Sequence, residues 1–277
     1  MLRATVALRR PRGAMADVVA RGLRFHVQRL GAGREPAGPL VVFLHGLVMD
    51  NLSSFYFTLA NPIAGVAEVL LYDLRGHGMS ERPPAGYGLD EMVADLEALL
   101  DAVAPGRAVF AVGNSFGGLL GLAFAAKRPE RVRGLVLVDG HLGERGWTEK
   151  MAATLELEGA ERDARIAESF ASWLGRHSER KSTRLARTAA ALVHDTTLVA
   201  DMRASAALDD AALRRVECPV LAIYGEASDL RGEAERLARL LPRCELHVLP
   251  GCSHSVLWEA TAAVRETVVR WVEAQGG

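Results

Sequence analysis

The sequence AVFAVGNSFGGLLGLAFAAK, residues 108–127, joins a short apolar run to a longer one through a glycine-rich turn. The first run is typical of a buried strand and the second of a helix. The turn contains G-x-S-x-G, formed by Gly113, Ser115 and Gly117. A sharp strand-to-helix turn strains the serine backbone, leaves no room for side chains at the two glycines, and lifts the serine Oγ above the sheet. The stretch therefore predicts a serine nucleophile, since no phosphate-binding GxGxxG or GxxxxGK[ST] motif occurs there.

On both sides of this stretch, short apolar runs alternate with longer amphipathic ones from Val18 onward. Continuously apolar runs are typical of strands in a parallel sheet, and the stretches between them of crossover helices. After an early hairpin ending near Phe25 to Leu30, the candidate strands are Leu40–Leu44, Glu68–Tyr72, Ala108–Val112, Leu135–Val138, Val220–Tyr224 and Glu245–Leu249. Leu89–Val103, with Asp90 at its cap position, and Val264–Val272 have helical spacing. The sequence predicts an α/β fold, with a mostly parallel central sheet flanked by helices.

Two segments depart from this alternation. Residues 141–216 lack a convincing strand and are rich in Arg, Glu and Ala, which predicts a helical lid inserted between two strands. Residues 1–16 are basic, contain no acidic residue and are interrupted by a proline and a glycine, so we interpret them as a disordered or over-extended N-terminal extension. Residues 17–140 and 217–277 then form the predicted core.

The composition excludes several classes of protein. Among 277 residues, 33 Lys and Arg face 34 Asp and Glu, and this balance provides no field for nucleic acid or an anionic membrane. The three cysteines, Cys218, Cys244 and Cys252, are widely spaced and suit neither a disulfide framework nor a zinc site. No apolar run approaches the ~20 residues that span a bilayer. We expect a cytoplasmic protein that acts on a small molecule and binds no metal; a homodimer and a carrier-protein-bound substrate stay open.

Two further motifs give the chain a resemblance to the α/β-hydrolase superfamily. His45-Gly46 directly follows the strand at Leu40–Leu44, and the sequence YDLRGHGMS at residues 72–80 resembles the D-x-R-G-x-G-x-S turn of that superfamily. With the G-N-S-F-G-G turn, the resemblance covers nearly the whole chain from Val18 to its end. It implies the α/β-hydrolase fold with an inserted lid.

The same motifs assign the groups around the serine. In this fold, two backbone N–H groups face the oxygen that becomes negatively charged: one follows the nucleophile and the other lies in the loop after an earlier strand. These positions correspond to Phe116 and Leu47. His45, Gly46 and Asn114 are assigned to the substrate-binding loops, and His45 is also expected to hold its loop in place.

A serine nucleophile needs an imidazole base and, in a triad, a carboxylate that orients it. His254 lies in a loop directly after the last predicted strand, where the resemblance places the base. Asp229 follows the strand Val220–Tyr224 in GEASDL, which resembles a variant of the family's acid loop, and is the favoured acid. Asp139, at the end of an earlier strand, is the alternative, because some members of the superfamily carry the acid there. The expected order is Ser115, Asp229, His254.

The resemblance implies acyl transfer to Ser115 and hydrolysis of the acyl-enzyme, without a metal or organic cofactor. A serine in place of aspartate argues against haloalkane dehalogenase and epoxide hydrolase chemistry. Carboxylic esters, thioesters and lactones are the expected substrates. Two alternatives stay open: hydrolysis of a carbon–carbon bond in a vinylogous diketone, whose hydrolases resemble this chain at G-N-S-F-G-G, and acyl transfer by the same triad.

Overall fold

A computed structural model describes residues 15–31, 38–144 and 188–276, together with residues 149, 152, 153, 157 and 159. Residues 1–14 and most of the predicted lid lie outside the described residues. Met15 and Ala16, placed by the sequence analysis in the N-terminal extension, belong to the first strand and pair with Gln28 and Val27. The boundary of the extension is therefore corrected from residue 16 to residue 14 at most.

The described chain contains one eight-stranded sheet with the order β1-β2-β4-β3-β5-β6-β7-β8. The strands are β1 (Met15–Ala20), β2 (Leu23–Leu30), β3 (Leu40–Leu44), β4 (Glu68–Tyr72), β5 (Val109–Asn114), β6 (Val132–Val138), β7 (Val220–Gly225) and β8 (Cys244–Leu249). β1 and β2 pair antiparallel, as do β2 and β4, and all the other pairs are parallel. The predicted α/β fold class is confirmed.

Helices lie on both faces of this sheet. The longer or site-forming ones are α1 (Leu89–Val103), α2 (Phe116–Lys127), α3 (Leu198–Ala204), α4 (Asp210–Leu213), α5 (Arg231–Leu240), α6 (Val256–Glu259) and α7 (Thr261–Gly276). Shorter helical turns are Ser53–Phe55, Tyr56–Ala60, Asn61–Ile63 and Pro129–Arg131. The predicted helix at residues 89–103 is present, but its N-cap is Gly88, and Asp90 lies inside the first turn. Every described helix is too short or too polar to cross a membrane.

The sheet has a hydrophobic cluster on each face, and successive side chains of β3 belong to one cluster and then the other. Val42 and its neighbours two residues away pack with α1 and α2, whereas Val41 and Phe43 pack with α7 and the helical turns at residues 53–63. Because both faces are covered, the central strands are fully buried and must be apolar throughout. The polar side chains that follow these strands therefore gather at their carboxyl ends.

The described end of the predicted lid is attached to the loop before α1. Residues 188–194 are helical and α3 follows. The Asp201 carboxylate accepts backbone N–H groups from Gly86, at 3.2 Å, and Tyr87, at 2.7 Å. The Ser205 hydroxyl accepts the Leu89 N–H at 3.1 Å. These bonds hold α3 and the residue after it against the start of α1.

Candidate active site

Ser115 occupies a strained turn between β5 and α2. Its backbone has φ 53° and ψ −116°, a conformation that a residue with a side chain rarely adopts. A Cβ at Gly113 would overlap the main chain of Gly117, and a Cβ at Gly117 would overlap the Leu44 carbonyl of β3. Both glycines are therefore needed for β3, β5 and α2 to approach one another, as the G-x-S-x-G pattern predicts.

His254 reaches this serine from the loop that follows β8. The Ser115 Oγ and His254 Nε2 atoms are 3.1 Å apart, within hydrogen-bond distance. Two carboxylates shape the loop: Glu226 accepts the Gly251 N–H at 3.0 Å, and Glu259 accepts the Ser253 N–H at 2.6 Å. The loop thus places the predicted base against the predicted nucleophile.

The carboxylate bonded to the other nitrogen of His254 belongs to Asp139. Its Oδ1 lies 2.9 Å from His254 Nδ1, and the Asp139 side chain is completely buried. The sequence analysis favours Asp229 for this position, but the Asp229 residue is exposed, beyond the buried Ser228. The assignment of the acid is therefore corrected from Asp229 to Asp139, the alternative at the end of β6.

Asp139, like Ser115, has a positive φ. It immediately follows β6, has φ 47°, and donates its N–H to the Ile223 carbonyl of β7 at 2.8 Å. Its carboxylate accepts the Gly225 N–H at 2.8 Å and the Ser228 hydroxyl at 2.5 Å. Sequence reasoning did not find these two donors. The position of Asp139 directly after a buried strand, like that of Ser115, was the signal in its favour.

The loop after β6 is fixed from two sides. The Tyr224 hydroxyl donates to the Gly140 carbonyl, and burial raises the pKa of Tyr224 well above 10, so the phenol keeps its proton. On the other side, a Cβ at Gly140 would lie 3.1 Å from Gly118 Cα of α2. Close packing of the two glycines brings the end of β6 against the start of α2.

The predicted oxyanion-hole residues flank the serine. Phe116 is the first residue of α2, and Leu47 lies in the loop after β3, whose Gly46 would place a Cβ 3.6 Å from Ser115 Cβ. Among the described residues, neither the Leu47 nor the Phe116 N–H donates a hydrogen bond. The start of a helix also carries a partial positive charge, which favours an anion there. Asn114, half-buried at the end of β5, lies near the same glycine.

His45 holds the Leu47 loop and does not line the substrate space. The ring is fully buried, its Nδ1 is 2.7 Å from the Gly46 carbonyl, and its Nε2 accepts the Leu74 N–H at 2.9 Å. Both ring nitrogens are thus used by the main chain. The assignment of His45 to substrate binding is corrected, whereas its expected role in the loop agrees with these bonds.

Two other side chains support the same loop, and the sequence analysis did not assign them to the site. His77 Nε2 accepts the Val48 N–H at 2.8 Å, while its Nδ1 donates to the Arg75 carbonyl at 2.8 Å. Val48 has φ 66°, so its conformation needs such support. Asp50 accepts the N–H of Gly46, the residue before Leu47, at 2.8 Å.

Two buried histidines near the site stay neutral. Burial, aided by neighbouring His45, lowers the pKa of His77 to about 3. Burial, with the charge of His254 as a smaller cause, lowers the pKa of His141 to about 3 as well. The His141 ring lies 6.1 Å from the Phe116 ring, and its Nδ1 accepts the Gly143 N–H. His77 and His141 therefore serve as neutral hydrogen-bonding groups.

The described chain thus brings a serine hydroxyl, an imidazole and a carboxylate into one hydrogen-bonded row, in which the imidazole can take a proton from the hydroxyl. In the described part of the chain, no three His, Cys, Asp or Glu side chains come together as metal ligands.

Comparisons with known proteins show which family and which fold the chain is similar to. Residues 41–267 match the alpha/beta hydrolase family. The chain is 37% identical over 123 residues to 2-hydroxy-6-oxo-2,4-heptadienoate hydrolase of Pseudomonas putida, covering 44% of this chain and 42% of that protein. It is 32% identical over 110 residues to 2-(acetamidomethylene)succinate hydrolase of Mesorhizobium japonicum, covering 40% of this chain and 38% of that protein. The matched regions thus span about two fifths of these relatives.

The fold is also similar to that of solved structures. The enol-lactonase of Burkholderia xenovorans superposes with a TM-score of 0.74 at 24% sequence identity, over 93% of this chain and 99% of that one.

Proposed function

Because the chain belongs to the alpha/beta hydrolase family and is a hydrolase of that fold, we propose that it cleaves a carboxylic ester, thioester or lactone through an acyl-enzyme on Ser115. The observation that carries the proposal is the hydrogen-bonded row of Ser115 Oγ, His254 and Asp139, with distances of 3.1 Å and 2.9 Å. The proposed substrate is a small molecule, and water is the second reactant.

In the first half of the reaction, Ser115 Oγ attacks the substrate carbonyl carbon while its proton moves to His254 Nε2. The carbonyl oxygen becomes an oxyanion and accepts hydrogen bonds from the N–H groups of Leu47 and Phe116. Asp139 holds the imidazole with Nδ1–H towards the carboxylate and stabilises the imidazolium. His254 then protonates the leaving alcohol or thiol, and the acyl group stays on Ser115.

In the second half, water takes the place of the leaving group. His254 removes a proton from this water, which attacks the acyl carbon, and the same two N–H groups bind the second oxyanion. Collapse of the intermediate returns the proton to Ser115 Oγ and releases the carboxylic acid. The strained turn at Ser115 keeps Oγ in one position through both halves.

A second candidate reaction is hydrolysis of a carbon–carbon bond next to a ketone in a vinylogous diketone. It is favoured by the 37% identity to the 2-hydroxy-6-oxo-2,4-heptadienoate hydrolase, together with the G-N-S-F-G-G turn. In that reaction His254 would protonate a carbon leaving group. The stretch Leu47 to Asp50 argues against it, because it lacks the small, glycine-rich residues expected in that subgroup.

A substrate panel separates the candidates. It consists of short and long acyl p-nitrophenyl esters, an acyl thioester, a lactone and a vinylogous diketone, each tested with the wild-type protein and Ser115→Ala. We expect turnover of at least one ester, thioester or lactone, which Ser115→Ala lowers by several orders of magnitude. Turnover of the diketone alone would move the proposal to the second reaction. Addition of an alcohol tests for an ester product, which would reveal acyl transfer.

Covalent labelling provides the control. A fluorophosphonate should modify wild-type protein at Ser115, and mass spectrometry of the peptide containing residues 109–127 locates the label. Full labelling of a folded Ser115→Ala variant would exclude Ser115 as the nucleophile.

A further inference from the structure

The hydroxyl of Ser228, in the turn after β7, is in direct contact with the Asp139 carboxylate. Ser228 Oγ lies 2.5 Å from Asp139 Oδ1, the same oxygen that faces His254 Nδ1 at 2.9 Å. Ser228 is 7% exposed and Asp139 is fully buried. Water therefore has little access to this oxygen, and the two protein donors share it.

The direction of the hydroxyl proton follows from a third bond. The Leu230 N–H donates to Ser228 Oγ at 3.1 Å, so Oγ is an acceptor on that side. A serine hydroxyl has one proton, and an ionised carboxylate can only accept. The proton of Ser228 is consequently aimed at Asp139 Oδ1.

With Ser228 in place, both oxygens of Asp139 are fixed. Oδ2 accepts the Gly225 N–H at 2.8 Å, and Oδ1 accepts from Ser228 and His254. Gly225 and Ser228 lie at the end of β7 and in the turn after it. Residues of this region therefore hold the side chain of Asp139, which follows β6. Without the Ser228 hydroxyl, Oδ1 would keep His254 as its only donor among these three, and the carboxylate could rotate away from the imidazole.

We infer that Ser228 is a positioning residue for the acid of the triad, acting on His254 through Asp139. The inference rests on the proposed function, since it needs Asp139 and His254 to work on Ser115. It also explains why the GEASDL loop was wrongly predicted to provide the acid, Asp229. The residue of that loop that contacts the triad is Ser228, through its hydroxyl.

The test compares Ser228→Ala, Ser228→Thr and the matched control Ser80→Ala. Ser80 is also a serine whose hydroxyl accepts a backbone N–H, from His26 at 2.9 Å, and donates to a carbonyl, that of Asp73 at 2.6 Å. The partners of its hydroxyl, His26 and Asp73, are not members of the triad. We measure kcat and KM for an activated aryl ester, together with the rate of fluorophosphonate labelling, which requires an activated Ser115 but little substrate binding.

Ser228→Ala should lower kcat and the labelling rate about ten- to a hundredfold, the range for loss of one hydrogen bond to a charged group, and leave KM within about twofold. Ser228→Thr, which keeps the hydroxyl, should stay within about threefold of wild type, as should Ser80→Ala. An equal loss in Ser228→Ala and Ser80→Ala, or a folded Ser228→Ala with wild-type kcat, would overturn the inference. So would a change confined to KM.

Failure of the proposed function and failure of the Ser228 role give different results. If wild type turns over no ester and Ser115 takes no label, the proposed function is wrong. If Ser115→Ala and Asp139→Asn are inactive while Ser228→Ala matches wild type, the proposed function stands and only the role of Ser228 is wrong.

Discussion

Ser115 and Asp139 follow neighbouring strands of the sheet, and both have a positive φ, at 53° and 47°. They follow adjacent parallel strands whose last paired residues are Asn114 and Val138, and the Ser115 N–H donates to the Val138 carbonyl at 3.0 Å. Such φ values are costly for residues with side chains and persist only where surrounding structure enforces them. The nucleophile and the acid are thus held rigidly by the same pair of strands.

The identity of the acid can be tested by Asp139→Asn and Asp229→Asn in parallel. Asparagine keeps the shape and tolerates the positive φ of residue 139, but it does not favour the required His254 tautomer. We expect Asp139→Asn to lower kcat by about 10⁴-fold, as the equivalent change does in serine proteases, and Asp229→Asn to stay within about threefold of wild type. Steady-state ester hydrolysis measures both. The opposite ranking would restore Asp229 as the acid.

The close packing behind the nucleophile predicts opposite effects for two Gly→Ala changes. A Cβ at Gly117 would overlap the Leu44 carbonyl, whereas a Cβ at Gly232, in α5, would meet no atom within 4 Å. Gly117→Ala should lower the free energy of unfolding by about 3 kcal/mol or more and abolish labelling of Ser115. Gly232→Ala should raise it by about 0.5–1 kcal/mol and leave labelling unchanged. Urea unfolding gives both values; a stable, fully labelled Gly117→Ala would contradict the described packing.

The buried His77 predicts a loss of stability in acid. Its pKa is about 3 in the folded protein and near 6.5 in the unfolded chain, so between these values the unfolded state binds more protons. Its contribution is complete above pH 6.5 and is lost as the pH falls from 6.5 towards 3, by about 1.4 kcal/mol per pH unit. His77→Gln, which keeps a donor and an acceptor, should reduce the slope of stability against pH by about that amount.

Urea unfolding at several values between pH 4.5 and 7.5 measures this slope. The exposed His194 provides the control substitution, His194→Gln. An unchanged slope in His77→Gln would show that the histidine takes up its proton in the folded state.

Glu233 predicts a dependence of stability on pH that is opposite in sign to that of His77. Its carboxylate accepts the Leu142 N–H, and burial raises its pKa to about 7, with Glu144 and Asp229 adding to the rise and Arg236 opposing it. The raised pKa contributes stability that is complete below about pH 4.5 and is lost as the pH rises through 7. Glu233→Gln should therefore be more stable relative to wild type at pH 8 than at pH 5. Thermal unfolding at these two pH values checks this, and an equal difference at both would contradict it.

The sheet could be predicted closely because burial on both faces forces its central strands to be apolar. Leu40–Leu44 and Glu68–Tyr72 match the structure to the residue. The nucleophile could be predicted because its constraints are local: Gly113 and Gly117 lie within two residues of Ser115. The acid could not be resolved, since Asp139 and Asp229 both follow strands and only the three-dimensional turn after β7 decides which carboxylate meets His254.

The supports of the oxyanion loop escaped the sequence analysis for the same reason. His77 and Val48 are 29 residues apart, and so are His45 and Leu74. A motif read along the chain marks each histidine as part of its own turn. Only the pairing of β3 with β4 brings the two turns together and shows that one supports the other.

The position of the acid on β6 also bears on the order in which the protein is completed during synthesis. Ser115 and Asp139 leave the ribosome within 24 residues of each other, but His254 comes 115 residues after Asp139. A nascent chain that ends before β8 can hold nucleophile and acid on a partial sheet and still be inert. Reactivity towards a fluorophosphonate therefore marks the docking of the final strand and its loop, which makes the label a reporter of complete folding in a translation reaction.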